Sequence, residues 1–119
     1  MIKWILTIKR HPDLTPSQFR QYYEENHVPL INRLIPMVEN YQRNYVILNS
    51  ELQEIGRRED SREGASYDAF TEVVFENDEV AKLVQERFAD PKIAAQITAD
   101  EGRFIAPGGL KLYVVEAVR

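Results

Sequence analysis

Apolar and polar positions alternate over Met1–Lys9, with Ile2, Trp4, Leu6 and Ile8 against Lys3, Ile5, Thr7 and Lys9. That period of two predicts a half-buried strand. His11-Pro12-Asp13 follows as turn chemistry. Thr15-Pro16-Ser17-Gln18 then opens a helix twice over, because Thr15 and Gln18 fit a capping box and Pro16 takes the first helical position. Phe19, Tyr23, Leu30 and Leu34 recur at helical spacing and mark its buried stripe. Pro29 has no N–H to donate and disfavours helical angles at Val28, so a kink is expected near residues 26–29.

A second strand is expected over Glu39–Asn49, with Tyr41, Arg43, Tyr45 and Ile47 on one face. Residues 50–67 are polar and mixed in charge, a connection long enough to be either a lid or a mobile surface loop. Asp68–Glu76 reads as a third strand through Phe70, Val73, Val74 and Phe75. Asn77-Asp78-Glu79 begins a helix carrying Val80, Leu83, Val84 and Phe88, with acidic residues in its first turn. Asp90-Pro91 begins another, with Ile93, Ile97 and Phe104 as its stripe. Pro107-Gly108-Gly109 is expected to end that helix, leaving Leu110–Val118 as a last strand.

The order is strand, helix, strand, strand, helix pair, strand. Two βαβ halves of this kind predict an α+β chain: a ferredoxin-like βαββαβ antiparallel sheet with helices on one face. Apolar residues occur on both faces of the first and third strands, so the bare face needs a cover. A second copy is the simplest cover, and a homodimer is expected.

At 119 residues the chain is expected to form one domain over 1–119. Its net charge of -4 argues against nucleic acid or an anionic membrane as partner. No apolar run approaches the roughly 20 residues that span a bilayer, and the first eight residues do not read as a signal peptide. The absence of cysteine excludes disulfides and thiolate chemistry and fits a cytoplasmic protein. With only His11 and His27, a zinc site would need carboxylates at a spacing that does not emerge. No phosphate loop or serine elbow is present either.

The candidate chemistry therefore starts at His27. At about 100° per residue it lies roughly 50° from the centre of its helix stripe, so it should border the core. An imidazole with an ordinary pKa of about 6.5 can both accept and return a proton. Alternatively, its ring bonds a carbonyl freed by Pro29. Tyr23, one turn earlier, is placed to bind a substrate or orient that ring, or to serve as a core tyrosine. Tyr41, Arg43 and Tyr45 share a strand face that lines either a pocket or a subunit interface; in a pocket, Arg43 would stabilise an enolate or carboxylate. Asp100 falls about 40° from the stripe of its helix, an odd place for an unpartnered carboxylate. It either orients His27, acts as a base, or forms a salt bridge, and Glu101, about 60° off the stripe, competes for the same role. Trp4 is a core residue or a ligand contact. Lys9, Arg10 and His11 are expected to be solvated.

The run from Lys9 to Leu30, KRHPDLTPSQFRQYYEENHVPL, closely resembles the opening of EthD-type proteins of the dimeric α+β barrel superfamily. YDAFTEVVF (67–75) and ADEGRFI (99–105) are similar to later parts of the same family. The resemblance implies a small pocket between sheet and helices, used without metal or organic cofactor. It also implies a catalytic role for His27, because family relatives act in polyketide pathways as cyclases, dehydratases or decarboxylases, and in lactone isomerisation. Certain relatives carry a second pocket histidine, for which this chain offers only His11. The expectation is a cofactor-independent lyase, cyclase or isomerase moving protons on an aromatic or polyketide-like molecule. His27 and Asp100 would be catalytic, and Trp4, Tyr23, Tyr41, Arg43 and Tyr45 would contact the substrate. A cofactor-free monooxygenase and a non-catalytic ligand-binding barrel are the alternatives.

Overall fold

A computed structural model describes residues 2–47 and 67–118 of the chain. The expected lid or loop over 50–67 lies outside the described residues, apart from Tyr67. Four strands, β1 (Ile2–Arg10), β2 (Asn40–Tyr45), β3 (Ala69–Val74) and β4 (Ile105–Glu116), form one antiparallel sheet in the order β2-β3-β1-β4. This is the βαββαβ order of a ferredoxin-like sheet. The helices are α1 (Pro16–Tyr22), α2 (Val28–Leu34), α3 (Asp78–Ala89) and α4 (Pro91–Phe104), with a π turn over Tyr23–His27 joining the first two.

Local chemistry sets the helix starts. Thr15 accepts from the Gln18 N–H at 3.2 Å while Gln18 Oε1 accepts from the Thr15 N–H at 2.9 Å, a complete capping box. Asn77 caps α3 through the Val80 N–H, and Asp90 caps α4 through the Lys92 and Ile93 N–H groups. Pro91 sits in the first turn of α4, where no donor is needed.

The end of α4 departs from expectation. Pro107-Gly108-Gly109 does not terminate the helix; Phe104 does, and the strand already runs from Ile105. The glycines serve an irregularity inside β4, where the pairing with β1 shifts register between Ile8 and Arg10. Gly108 takes φ +69, and a Cβ on Gly109 would stand 2.9 Å from the Ala106 carbonyl oxygen. The strand expected over Glu39–Asn49 is β2, which ends at Tyr45 and leaves out Val46 and Ile47, while positions 48 and 49 lie outside the described residues.

Side chains of Trp4, Leu6 and Ile8 point from β1 toward the helices, and Ala69, Thr71 and Val73 do so from β3. The core divides into two clusters. One gathers Ile31, Ile35, Val73, Phe75, Val84, Ile93 and Ile97; the other gathers Ile8, Phe19, Tyr23, Ala69, Phe104 and Ile105. The opposite sheet face carries the Lys3–Glu72 ion pair at 2.5 Å beside exposed Phe70 and Tyr113. Among the described residues no helix is long and apolar enough to cross a membrane.

Candidate active site

The site begins at the π turn. Pro29 was expected to force Val28 out of helical angles, yet Val28 keeps φ -59 and ψ -48 and α2 follows the turn directly. The helix widens at this point: the Val28 N–H bonds the Tyr23 carbonyl, five residues back. Widening relieves the clash between a proline ring and the carbonyl four residues earlier, and π turns often mark functional positions. Tyr23 and His27, the first and last residues of the turn, are both buried.

His27 Nδ1 lies 2.8 Å from Asp100 Oδ2, with the imidazole only 6% exposed. The Tyr22 hydroxyl donates to the other oxygen, Asp100 Oδ1, at 2.5 Å. The carboxylate is thus held from two sides, and α4 and the π turn are tied together. Phe104 packs 4.8 Å from the imidazole centroid and Tyr23 packs 5.6 Å from it. Burial pushes the His27 pKa below its ordinary value, and Asp100 opposes that shift only in part. The ring is therefore neutral at pH 7. With Nδ1–H donated to Asp100, the remaining lone pair is on Nε2.

The His27 ring is part of the wall of a cavity of about 350 Å³ between sheet and helices, large enough for a small aromatic molecule. Tyr23, Tyr41 and Trp4 line it too. The Tyr41 hydroxyl donates to the Tyr23 hydroxyl at 3.1 Å, and Tyr23 is bonded to Thr71 Oγ1 at 2.8 Å. Burial raises the pKa of both tyrosines, so both stay neutral. Trp4 packs edge-on against Phe75 at 4.9 Å and forms an aromatic wall. Among the described residues no lysine or arginine belongs to the lining.

Glu101 also lines the cavity. Asp100 and Glu101 competed for the place beside His27; Asp100 takes it, and Glu101, one position on, faces the hollow. Burial first, and the neighbouring Asp100 charge second, push the Glu101 pKa up to about 7. In the sequence Glu101 reads as a rival of Asp100, either orienting His27 or acting as a base itself. Its signal was an angle intermediate between core and solvent. Tyr22, the second anchor of Asp100, carried no such signal, since it lies outside the stripe of its helix.

Arg43 and Tyr45 are placed elsewhere. Arg43 grips Glu24 through two bonds of 2.9 and 2.7 Å, and Tyr45 donates to the same carboxylate. Arg43 also bonds the Tyr41 carbonyl, and neither Arg43 nor Tyr45 lines the cavity. The paired guanidinium holds the Glu24 carboxyl below its usual range. Lys9 and Arg10, expected to be solvated, both reach Asp68, with Arg10 Nε 3.3 Å from its Oδ1. His11, also expected to be solvated, is half-buried. Its Nδ1 accepts from the Asp13 N–H at 3.1 Å, far from a second-histidine role in the cavity. Among the described residues, no three His, Cys, Asp or Glu side chains gather as a metal site.

Residues 11–108 match the EthD domain. The chain belongs to the EthD family. No curated protein is significantly similar in sequence. Among solved structures, an EthD (ethyl tert-butyl ether D) family protein from Bacillus halodurans superposes with a TM-score of 0.62 at 18% identity, over 99% of this chain and 100% of that one. An EthD-like protein from Ralstonia eutropha gives 0.63 at 13% identity, over 99% and 93%. A dimeric ferredoxin-like protein of unknown function from Thermobifida fusca gives 0.54 at 15%, over 98% and 90%. These likenesses bear on the fold of the EthD chain.

Proposed function

We propose that this EthD protein is an enzyme that moves protons on a small aromatic or polyketide-like molecule held in the cavity, without a cofactor. The observation that carries this reading is the imidazole of His27, fixed through Nδ1 by Asp100 on the wall of an apolar hollow. Such a ring is a general base aimed by a carboxylate, in surroundings that exclude water. Asp100 holds the tautomer and steadies the imidazolium that forms. Trp4, Tyr23 and Tyr41 orient the substrate. Enolisation by His27 drives cyclisation, loss of water or loss of carbon dioxide, which makes the enzyme a lyase, cyclase or isomerase. Arg43 and Tyr45, bonded to Glu24, support the strand that presents Tyr41 and do not touch the substrate.

The protein acts as a single cytoplasmic domain paired with a second copy. Exposed Leu112 and Val114 on β4 support the pairing, and Leu112 also lines the cavity, so a partner against this edge would narrow its mouth. The dimeric relative from Thermobifida fusca is consistent with it.

The test is exchange of acidic C–H hydrogens for solvent deuterium in a panel of aryl β-diketones, followed by mass spectrometry. Wild-type protein should accelerate exchange on at least one member, and His27→Ala should abolish the acceleration. No acceleration across the panel, or full activity in the variant, would sink the reading. Oxygen consumption during turnover would favour the cofactor-free monooxygenase instead.

A further inference from the structure

The cavity holds a second titratable group that the His27–Asp100 pair does not use. Glu101 lines the hollow, and among the described residues its carboxyl has neither a hydrogen-bond nor an ion-pair partner. The tyrosines do not compete for its role: Tyr41 spends its proton on Tyr23, and Tyr23 is engaged with Thr71, so Tyr41 offers a ligand lone pairs. The groups facing Glu101 can be followed element by element. The π turn contributes His27 and Tyr23, β2 contributes Tyr41, and α4 itself contributes Thr98, with Asp100 adjacent. Strands β1, β3 and β4 and helices α2 and α3 contribute only apolar or aromatic side chains to the lining. Among the described residues a carboxylate there has no cation to neutralise it, and an anionic ligand would meet none either.

We propose that Glu101 is a second catalytic residue, whose protonated carboxyl donates to the carbonyl oxygen of an uncharged ketone while His27 Nε2 removes the neighbouring C–H proton. The C–H bond breaks and its proton forms an N–H bond on the imidazole. The C–H electron pair becomes the C=C bond of the enol. The carbonyl π pair forms an O–H bond with the Glu101 proton, leaving imidazolium and carboxylate to be reset by the reverse transfers. A pKa near 7 leaves about half of the carboxyls able to donate at neutrality. The inference rests on His27 as base and adds the substrate class: neutral carbonyl compounds with an acidic α-hydrogen.

Calorimetric titration with 4-propylacetophenone, which accepts but cannot donate a hydrogen bond, tests it against 4-propylbenzoate. The ketone should bind wild-type protein about tenfold or more weakly at pH 8.5 than at pH 6.0, as Glu101 loses its proton. Glu101→Gln, which keeps a donor of similar shape, should bind the ketone with no such pH response. The benzoate should bind the wild type at least about tenfold more weakly than the ketone at either pH. The proposal is overturned if the Gln variant keeps the wild-type pH response, if the benzoate binds as well as the ketone, or if the ketone fails to bind at millimolar concentration. His27→Gln separates the two readings. A pH response that disappears there and survives in Glu101→Gln removes Glu101 and leaves the base standing. Intact Glu101 behaviour without His27-dependent deuterium exchange removes the base alone.

Discussion

Two polar clusters hang from the same π turn and differ in what they leave unsatisfied. Around Glu24, Arg43 and Tyr45 supply three bonds to one carboxylate, and Arg43 spends a further N–H on the Tyr41 carbonyl. Around His27, which lines the cavity, Asp100 takes one ring nitrogen and the other has no partner among the described residues. Both clusters place a charge under partial cover. The first is a closed network whose members have their partners, and it ties β2 to the helix. The second is open on the side that matters for chemistry. Residue type alone would favour the arginine–tyrosine cluster as the anion-binding site; the bonding inventory favours the histidine.

The sharpest way to break that contrast is His27→Ala. It should reduce catalysed α-hydrogen exchange by roughly 10²–10⁴-fold, the usual reach of general acid–base assistance, with an unchanged circular dichroism spectrum. Asp100→Asn should cost less. Losing a hydrogen bond to a charged group is worth about 1.5–3 kcal/mol, or roughly 10–150-fold in rate. Because Asp100 opposes the lowering of the His27 pKa, the acid limb of the rate profile should also move to lower pH in that variant. An unaltered limb would deny the pair its electrostatic role.

Glu101 provides an effect on stability whose sign can be worked out. The folded protein keeps this proton up to about 7, whereas an exposed glutamate loses it near 4.5. Between those values the folded state binds more protons than the unfolded chain. The contribution is full below pH 4.5 and is lost as pH rises through 7. After discounting for partial exposure, the loss is about 2 kcal/mol. His27 acts oppositely: its lowered pKa makes stability rise with pH up to about 6.5. Urea denaturation of wild type and Glu101→Gln at pH 5 and pH 8 isolates the first effect, which should vanish in the variant. The smallest change belongs to Arg43→Ala. It should lower stability by about 1 kcal/mol, since its ion pair with Glu24 is partly solvated, and alter exchange less than about threefold. A loss of exchange comparable to that of His27→Ala would erase the distinction between the clusters.

The sequence was most informative where the governing interactions span a few residues. The Thr15–Gln18 box and the Asn77 and Asp90 caps were readable because capping involves only three or four neighbouring positions. The order of elements, and hence the ferredoxin-like sheet, followed from periodicity. His27 was readable as a residue bordering the core, and Asp100 as a carboxylate needing a partner. Pro29 announced a disturbance in the helix but not the π turn that accompanies it, because more than one backbone arrangement answers the same steric conflict. Pro107-Gly108-Gly109 looked like a helix stop and proved to be a strand irregularity, since the close approach of Lys9 that requires Gly109 comes from a distant strand.

By itself, the sequence determined the order of the elements, the EthD family and the residue types available for chemistry. Only the tertiary structure decided that Asp100, not Glu101, meets His27, and that Tyr41 reaches the cavity while Arg43 and Tyr45 on the same strand turn to Glu24. Neighbouring positions on a helix differ by about 100°, and alternate strand positions share a face. Which of them meets a partner or a cavity depends on how far along each element another element crosses it, and no local pattern encodes that.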